Sequence, residues 1–171
     1  MSHPGDLGAS SGDAADSDRL AAHVVAALRE RGQSLAVAES LTGGALSAAI
    51  VAVPGASQVF RGGLVVYAAD LKVSLAEVDA RLLEARGPVD RDVAAALADG
   101  ARARCRASWG LATTGVAGPD SHGGQPPGTV WLGMAGPAGV SAWRLTLPGD
   151  RAEVRAGAVL AALRGLVDAL E

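Results

Sequence analysis

The sequence predicts an α/β protein, a three-layer α/β/α sandwich around a mixed, mostly parallel sheet in a single domain. Three observations carry that expectation. Helical apolar spacings alternate along the chain with short apolar or β-branched runs, the pattern of strand–helix units stacked on a parallel sheet. One hairpin, residues 129–135 and 140–147 about Gly136-Pro137-Ala138-Gly139, adds antiparallel strands and makes the sheet mixed. Apolar residues make up 49% of 171 positions but aromatics only 3%, so the core must be Ala, Val and Leu, with helices close against the sheet.

The elements follow in order. Residues 1–16 offer almost nothing to bury and are expected to form a disordered tail ahead of a domain over residues 17–171. Ser17 or Asp18 can cap a first helix that carries Leu20, Val24, Val25 and Leu28 on one face and stops near Gly32. Residues 35–38 are a short apolar run, read as a buried strand. A polar, glycine-bearing turn over 39–44 leads into a helix over 45–53, which Pro54-Gly55 ends. Residues 64–67 read as a strand, and the helix after them carries Lys72. Another helix covers 89–104, a strand covers 111–114, and a Gly- and Pro-rich loop runs from 115 to 128. After the hairpin, a last helix from about 150 to 170 turns Val154, Leu163, Leu166 and Leu170 to one side.

Bulk properties exclude several classes of function. The net charge is −3 and the arginines are dispersed, with no basic stripe interleaved with aromatics, so no nucleic-acid partner is expected. No apolar run reaches the roughly 20 residues that span a bilayer, and the start lacks a signal-peptide pattern. The single Cys105 cannot form an internal disulfide and suits a reducing compartment. A cytoplasmic protein without membrane contact is expected.

Four segments could carry chemistry. In Ala38-Glu39-Ser40-Leu41-Thr42-Gly43-Gly44 a strand end meets a helix start, where unpaired backbone N–H groups make an anion site. Ser40 stands where a nucleophile would, although Ser40 or Thr42 could equally serve as an N-cap. The second segment holds Tyr67 and Lys72, the only tyrosine and the only lysine. A desolvated lysine can act as a base, which arginine cannot, and Ser–Lys pairs are a known nucleophile–base combination. The third is Thr113-Thr114-Gly115-Val116-Ala117-Gly118-Pro119, a loop that is either a ligand wall or a surface connection and that continues to His122. His23, inside the first helix, reads as a surface or packing residue. The fourth is Asp150-Arg151 with Arg155 one turn on. That pair could hold a phosphate or carboxylate, or simply face solvent.

Taken in order, AESLTGG, PGAS near residue 55, FRGGLVVYAADLK, TTGVAGP, PPGTVW and GDRAEVR resemble the carboxy-terminal domain of the CinA family over about residues 17–170. That domain also occurs alone as nicotinamide-nucleotide amidase. The resemblance implies hydrolysis of the carboxamide of nicotinamide mononucleotide to nicotinate mononucleotide and ammonia, in pyridine nucleotide salvage. It implies a serine mechanism without a cofactor or metal. By motif position, Ser40 is the nucleophile, Lys72 the general base, and Tyr67 assists. Amides around Thr42, Gly43 and Gly44 hold the oxyanion or substrate. Thr114, Gly115 and Gly118 line the nucleotide site, with Arg151 a looser candidate. The family further suggests a self-associated protein, for which a dimer is the simplest expectation.

The chain departs from the family pattern at several places. Leu41 replaces the usual Cys. Ala68, Ala69 and Asp70 replace Ser-Asn-Glu between tyrosine and lysine. Asp120-Ser121-His122 interrupts a glycine run. A nucleotide-binding module with little catalysis, or an amidase for another small amide, are therefore the competing expectations. Full-length members carry a longer amino-terminal domain associated with a metal-dependent pyrophosphatase, and 171 residues have no counterpart, so neither that activity nor a metal is expected.

Overall fold

The structure, a computed structural model, describes residues 11–171. Five strands, β1 Leu35–Glu39, β2 Phe60–Val65, β3 Trp109–Gly115, β4 Thr129–Gly136 and β5 Gly139–Thr146, form one sheet in the order β2-β1-β3-β4-β5. β1 runs parallel to both β2 and β3, whereas β3–β4 and β4–β5 are antiparallel. The mixed sheet is thus evenly divided rather than mostly parallel, because the hairpin docks directly on β3. The expected single α/β domain and its three layers are present.

The interior strand β1 explains its own sequence. All five residues of β1 are buried, since helices cover both faces, and residues 35–38 accordingly read as a continuous apolar run that ends at Glu39. Its side chains alternate between two cores. Leu35 and Val37 join the core formed by α1 Ser11–Glu30, α2 Ala45–Val51 and α6 Arg151–Leu170, where Val24, Leu28, Leu163 and Leu166 are fully buried. Ala36 and Ala38 face the other core, with Val93, Leu97 and Ala101 of α5 Arg91–Arg104. Small residues on that second face let α5 approach the sheet closely. At Gly110 and Gly133 a Cβ would run into the carbonyl oxygens of Ala98 and Ala94 on α5. A core poor in aromatics is therefore a close-packed one.

Several boundaries differ from the expectation. α1 begins at Ser11, ahead of Ser17 and Asp18, so residues 11–16 continue the helix. Ala15 is a strong helix former, and Arg19 pairs with Asp16 one turn back. Residues 1–10 of the expected tail lie outside the described residues. β2 covers Phe60–Val65, so the glycines Gly62 and Gly63 pair with Ala36 and Val37 and Tyr67 falls beyond the strand. Two short helices, α3 Ala69–Ser74 and α4 Ala80–Arg86, precede α5. The hairpin turn tightens to Pro137-Ala138, because Gly136 and Gly139 pair with each other. α6 has the expected cap: Asp150 accepts from Ala152 N and Glu153 N, and Glu153 reaches back to complete a capping box. Among the described residues no helix is long and apolar enough to cross a membrane.

Gly133→Ala should lower stability by about 1–3 kcal/mol or more, because backbone rather than a flexible side chain occupies the space. Urea denaturation measures this, and an unchanged midpoint would contradict the close approach of α5.

Candidate active site

The parallel strands β2, β1 and β3 present their carboxyl ends at one edge of the sheet, where ligands bind in open α/β folds. Two backbone bonds extend the pairing past the strands: Ser40 N donates to Thr113 O at 2.9 Å and Val66 N to Glu39 O at 2.8 Å. The residue after β1 is thus held between its neighbours before the chain turns away. The turn needs glycine, since Gly43 and Gly44 take φ of 58° and 100°. Gly43 N closes it on Ser40 O at 3.1 Å.

Glu39 organises this turn from inside. Its side chain is completely buried. One carboxylate oxygen accepts from Thr42 Oγ1 at 2.7 Å, Gly44 N at 3.0 Å and Leu46 N at 3.0 Å. The other accepts from Ser47 N at 2.8 Å and Ser47 Oγ at 2.6 Å. Thr42 Oγ1 also lies 2.8 Å from Thr113 Oγ1, tying the turn to β3. The helix start does bind an anion, as its sequence suggests, but the anion is the chain's own. Thr42, Gly43 and Gly44 are therefore not part of the cavity lining, and the amides of Gly43 and Gly44 are occupied. Among the described residues the N–H groups of Leu41 and Thr42 meet no acceptor.

Lys72, the one buried residue of α3, is 1% exposed. Its Nζ lies 3.0 Å from Ser40 Oγ and donates to Val66 O at 2.6 Å. Among the described residues no carboxylate pairs with it. Burial therefore acts alone and pulls its pKa from 10.5 to about 8. The amine is positioned and tuned to exchange a proton with the Ser40 hydroxyl.

Ser40 and Lys72 open onto a cavity of about 360 Å³. Thr114, Gly115 and Gly118 line it from the end of β3 and the loop beyond, as the sequence suggests, and Tyr67 and Arg151 complete that expected set. The Thr114 hydroxyl donates to Pro88 O at 2.6 Å and so braces the wall. Arg151 donates to Gly118 O at 2.9 Å and to the Tyr67 hydroxyl at 3.0 Å, linking α6 to two sides of the cavity. His122, left open by the sequence, is also at the cavity, together with Asp120.

Arg155 stands behind the turn that carries Ser40. Its Nε donates to Leu41 O at 3.0 Å and an Nη to Thr42 O at 2.9 Å. Sequence reasoning missed this role and that of Glu39. The signal for Glu39 was present as an acid at the end of an apolar strand, directly ahead of Thr, Gly and Ser donors. Arg155 gave no comparable sign, since its targets are backbone carbonyls distant in sequence.

The similarity to known proteins covers this whole frame. A family model described as the CinA C-terminal domain matches residues 17–170. A CinA-like protein of Frankia casuarinae is 49% identical across 85% of this chain and 34% of its own length. A CinA-like protein of an Anaeromyxobacter species is 47% identical across 85% of the chain and 36% of its own. The chain thus spans about a third of the length of the curated relatives it matches. Among solved structures, the competence/damage inducible protein CihA of Agrobacterium tumefaciens superposes with a TM-score of 0.86 at 32% identity, over 99% of both chains. A competence-damaged protein (CinA) superfamily protein of Escherichia coli gives 0.88 at 29% identity, over 95% of this chain and 94% of that one.

Two outcomes test the buried charges. Glu39→Gln puts an amide N–H₂ among five donors and should cost about 2–3 kcal/mol in urea denaturation; full stability would show that the carboxylate does not hold the turn. Between pH about 8 and 10.5 the folded protein binds fewer protons at Lys72 than the unfolded chain, so stability rises with pH across that window. Lys72→Met lacks this rise, so its stability relative to wild type should fall from pH 8 to 10.5, and a constant difference would contradict the lowered pKa.

Proposed function

Because the chain belongs to the CinA C-terminal domain family and seats a buried lysine on a serine, we propose that it is an amidohydrolase that converts nicotinamide mononucleotide to nicotinate mononucleotide and ammonia. The observation that carries this reading is the 3.0 Å approach of Lys72 Nζ to Ser40 Oγ at the wall of a cavity. Amide hydrolysis needs a nucleophile, a proton shuttle and donors for the developing oxyanion. Neutral Lys72 takes the Ser40 proton as Oγ attacks the carboxamide carbon. The N–H group of Leu41, which lines the cavity and meets no acceptor among the described residues, is the donor nearest in sequence for the tetrahedral oxyanion. Lys72 then passes its proton to the departing nitrogen, which leaves as ammonia. Water, deprotonated by the same amine, attacks the acyl-serine and releases the carboxylate product. Tyr67, Thr114, Gly115, Gly118 and Arg151 line the substrate's place.

A second reading, hydrolysis of a different small amide, is favoured by one observation. Leu41, Ala69, Asp120 and His122 all line the cavity, and each stands where the chain departs from the family pattern.

Ammonia release from nicotinamide mononucleotide decides between them. Wild type should release ammonia, and Ser40→Ala and Lys72→Arg should each lose at least about 10³-fold. Release that survives both changes would refute the assigned roles, and no release from this substrate alongside release from another small amide would favour the second reading. The rate should also follow the neutral amine: kcat/KM should rise from pH 6 to an inflection at about 8, with roughly 1% of the maximum at pH 6. A flat profile over that range would remove Lys72 as the base.

A further inference from the structure

The Ser40 end of the cavity holds more hydrogen-bond donors than its own acceptors use. A protonated lysine has three N–H groups. Lys72 directs one to Ser40 Oγ at 3.0 Å and one to Val66 O at 2.6 Å, and among the described residues the third meets no acceptor. Ser40 Oγ accepts from that ammonium, so its own hydrogen is left to donate. The Leu41 N–H beside it also meets no acceptor among the described residues. Ser40, Leu41 and Lys72 all line the cavity, so donors from three neighbouring groups open onto one place.

The charge there is as unmatched as the hydrogen bonds. Lys72 is 1% exposed, and a buried ammonium without a counter-ion is unfavourable. Glu39 is next to Ser40 in the chain, but its two oxygens accept from five donors of the turn and it forms no ion pair with Lys72. The other charged or titratable groups that line the cavity are Tyr67, Asp120, His122 and Arg151. Arg151 and Tyr67 are bonded to each other, and Asp120 forms no ion pair with the amine. Pro88, Val89, Val116 and Ala117 give the remaining wall an apolar character, which strengthens any charge contact made inside it.

We propose that, with Lys72 protonated, this end of the cavity is a carboxylate-binding site, and that the carboxylic acid formed in the reaction occupies it as an inhibitor. The inference rests on the amidase reading and adds to it a regulation: the charge of one amine decides between amide and acid. Neutral Lys72 takes the Ser40 proton and serves the amide. The ammonium instead supplies the missing counter-charge to a carboxylate, whose oxygens accept from its third N–H, from Ser40 Oγ–H and from Leu41 N–H. An amide offers the ammonium no charge to neutralise. With the amine titrating at about 8, about nine tenths of the free protein is in the acid-binding form at pH 7. At neutral pH the product therefore slows its own formation, and this restraint weakens as the pH rises.

Kinetics and calorimetry test the site. The inhibition constant of nicotinate mononucleotide against nicotinamide mononucleotide hydrolysis should rise about tenfold from pH 7 to 9, because only the protonated site binds the acid. On wild type, which needs no variant to fold, calorimetry in buffers of different ionisation enthalpy reads the protons that accompany binding. Nicotinate and nicotinate mononucleotide should each take up about 0.9 proton at pH 9 and about 0.1 at pH 7, whereas nicotinamide should take up none. Lys72→Met should weaken nicotinate mononucleotide by at least about tenfold and remove the pH dependence. His122→Asn, which removes the imidazole from the wall, should keep it. An inhibition constant unchanged between pH 7 and 9, acid binding without proton uptake at pH 9, or a pH dependence that disappears in His122→Asn would overturn the proposal. If wild type releases no ammonia from nicotinamide mononucleotide, the amidase reading falls, and proton uptake on nicotinate binding still decides the carboxylate site.

Discussion

The carboxylate of Glu39 lies fully inside the protein and is held by five hydrogen bonds from the turn and helix that follow it. A buried carboxylate is tolerable only when such donors replace water, and the first amides of α2 supply them together with favourable helix-dipole potential. The arrangement works in both directions. The strand end anchors the helix start, and the helix start makes the strand end habitable for an acid. Between them the chain has one route, which places Ser40 at the cavity and turns Thr42 inward. The serine's position thus follows from how a neighbouring charge is satisfied.

Lys72 is buried under the opposite regime. Glu39 has many partners, whereas the lysine has two oxygen contacts and no counter-charge among the described residues. An acid placed beside it would have raised its pKa and kept it protonated; leaving it alone lowers the pKa toward neutrality. A stable protein would not choose an unpaired buried amine, and its presence beside a serine argues for use rather than packing. The two buried charges are kept in different ways, one by five donors and the other by burial without a counter-charge among the described residues.

Much of the fold was legible because β1 and α6 obey strong local rules: a strand covered on both faces shows an apolar run, here residues 35–38, and a capped amphipathic helix shows its cap. β2 was harder, since Gly62 and Gly63 weaken any strand signal and only pairing with β1 makes them extended. The start of α1 was hidden because Ala, Asp and Ser suit a helix and a loosely structured tail alike. At the site, the Ser40, Tyr67 and Lys72 set was readable from residue types and from order along the chain. The occupancy of the helix start was not, because a motif rich in donors cannot say whether its anion comes from outside or from the preceding residue. The hold of Arg155 on the turn was invisible for a related reason: carbonyl acceptors leave no trace in a sequence.

Leu41, Ala69, Asp120 and His122 gather at the cavity while the elements that hold Ser40 and Lys72 remain those of the fold's frame. The central claim, that burial without a counter-charge makes Lys72 a base, can be measured directly, since it is the chain's only lysine. Protein labelled with ¹³C at the lysine ε carbon gives a single resonance whose shift reports the charge of Nζ. The account predicts a titration centred at about 8 in the folded protein. A midpoint near 10.5, the value of an exposed lysine, would contradict it.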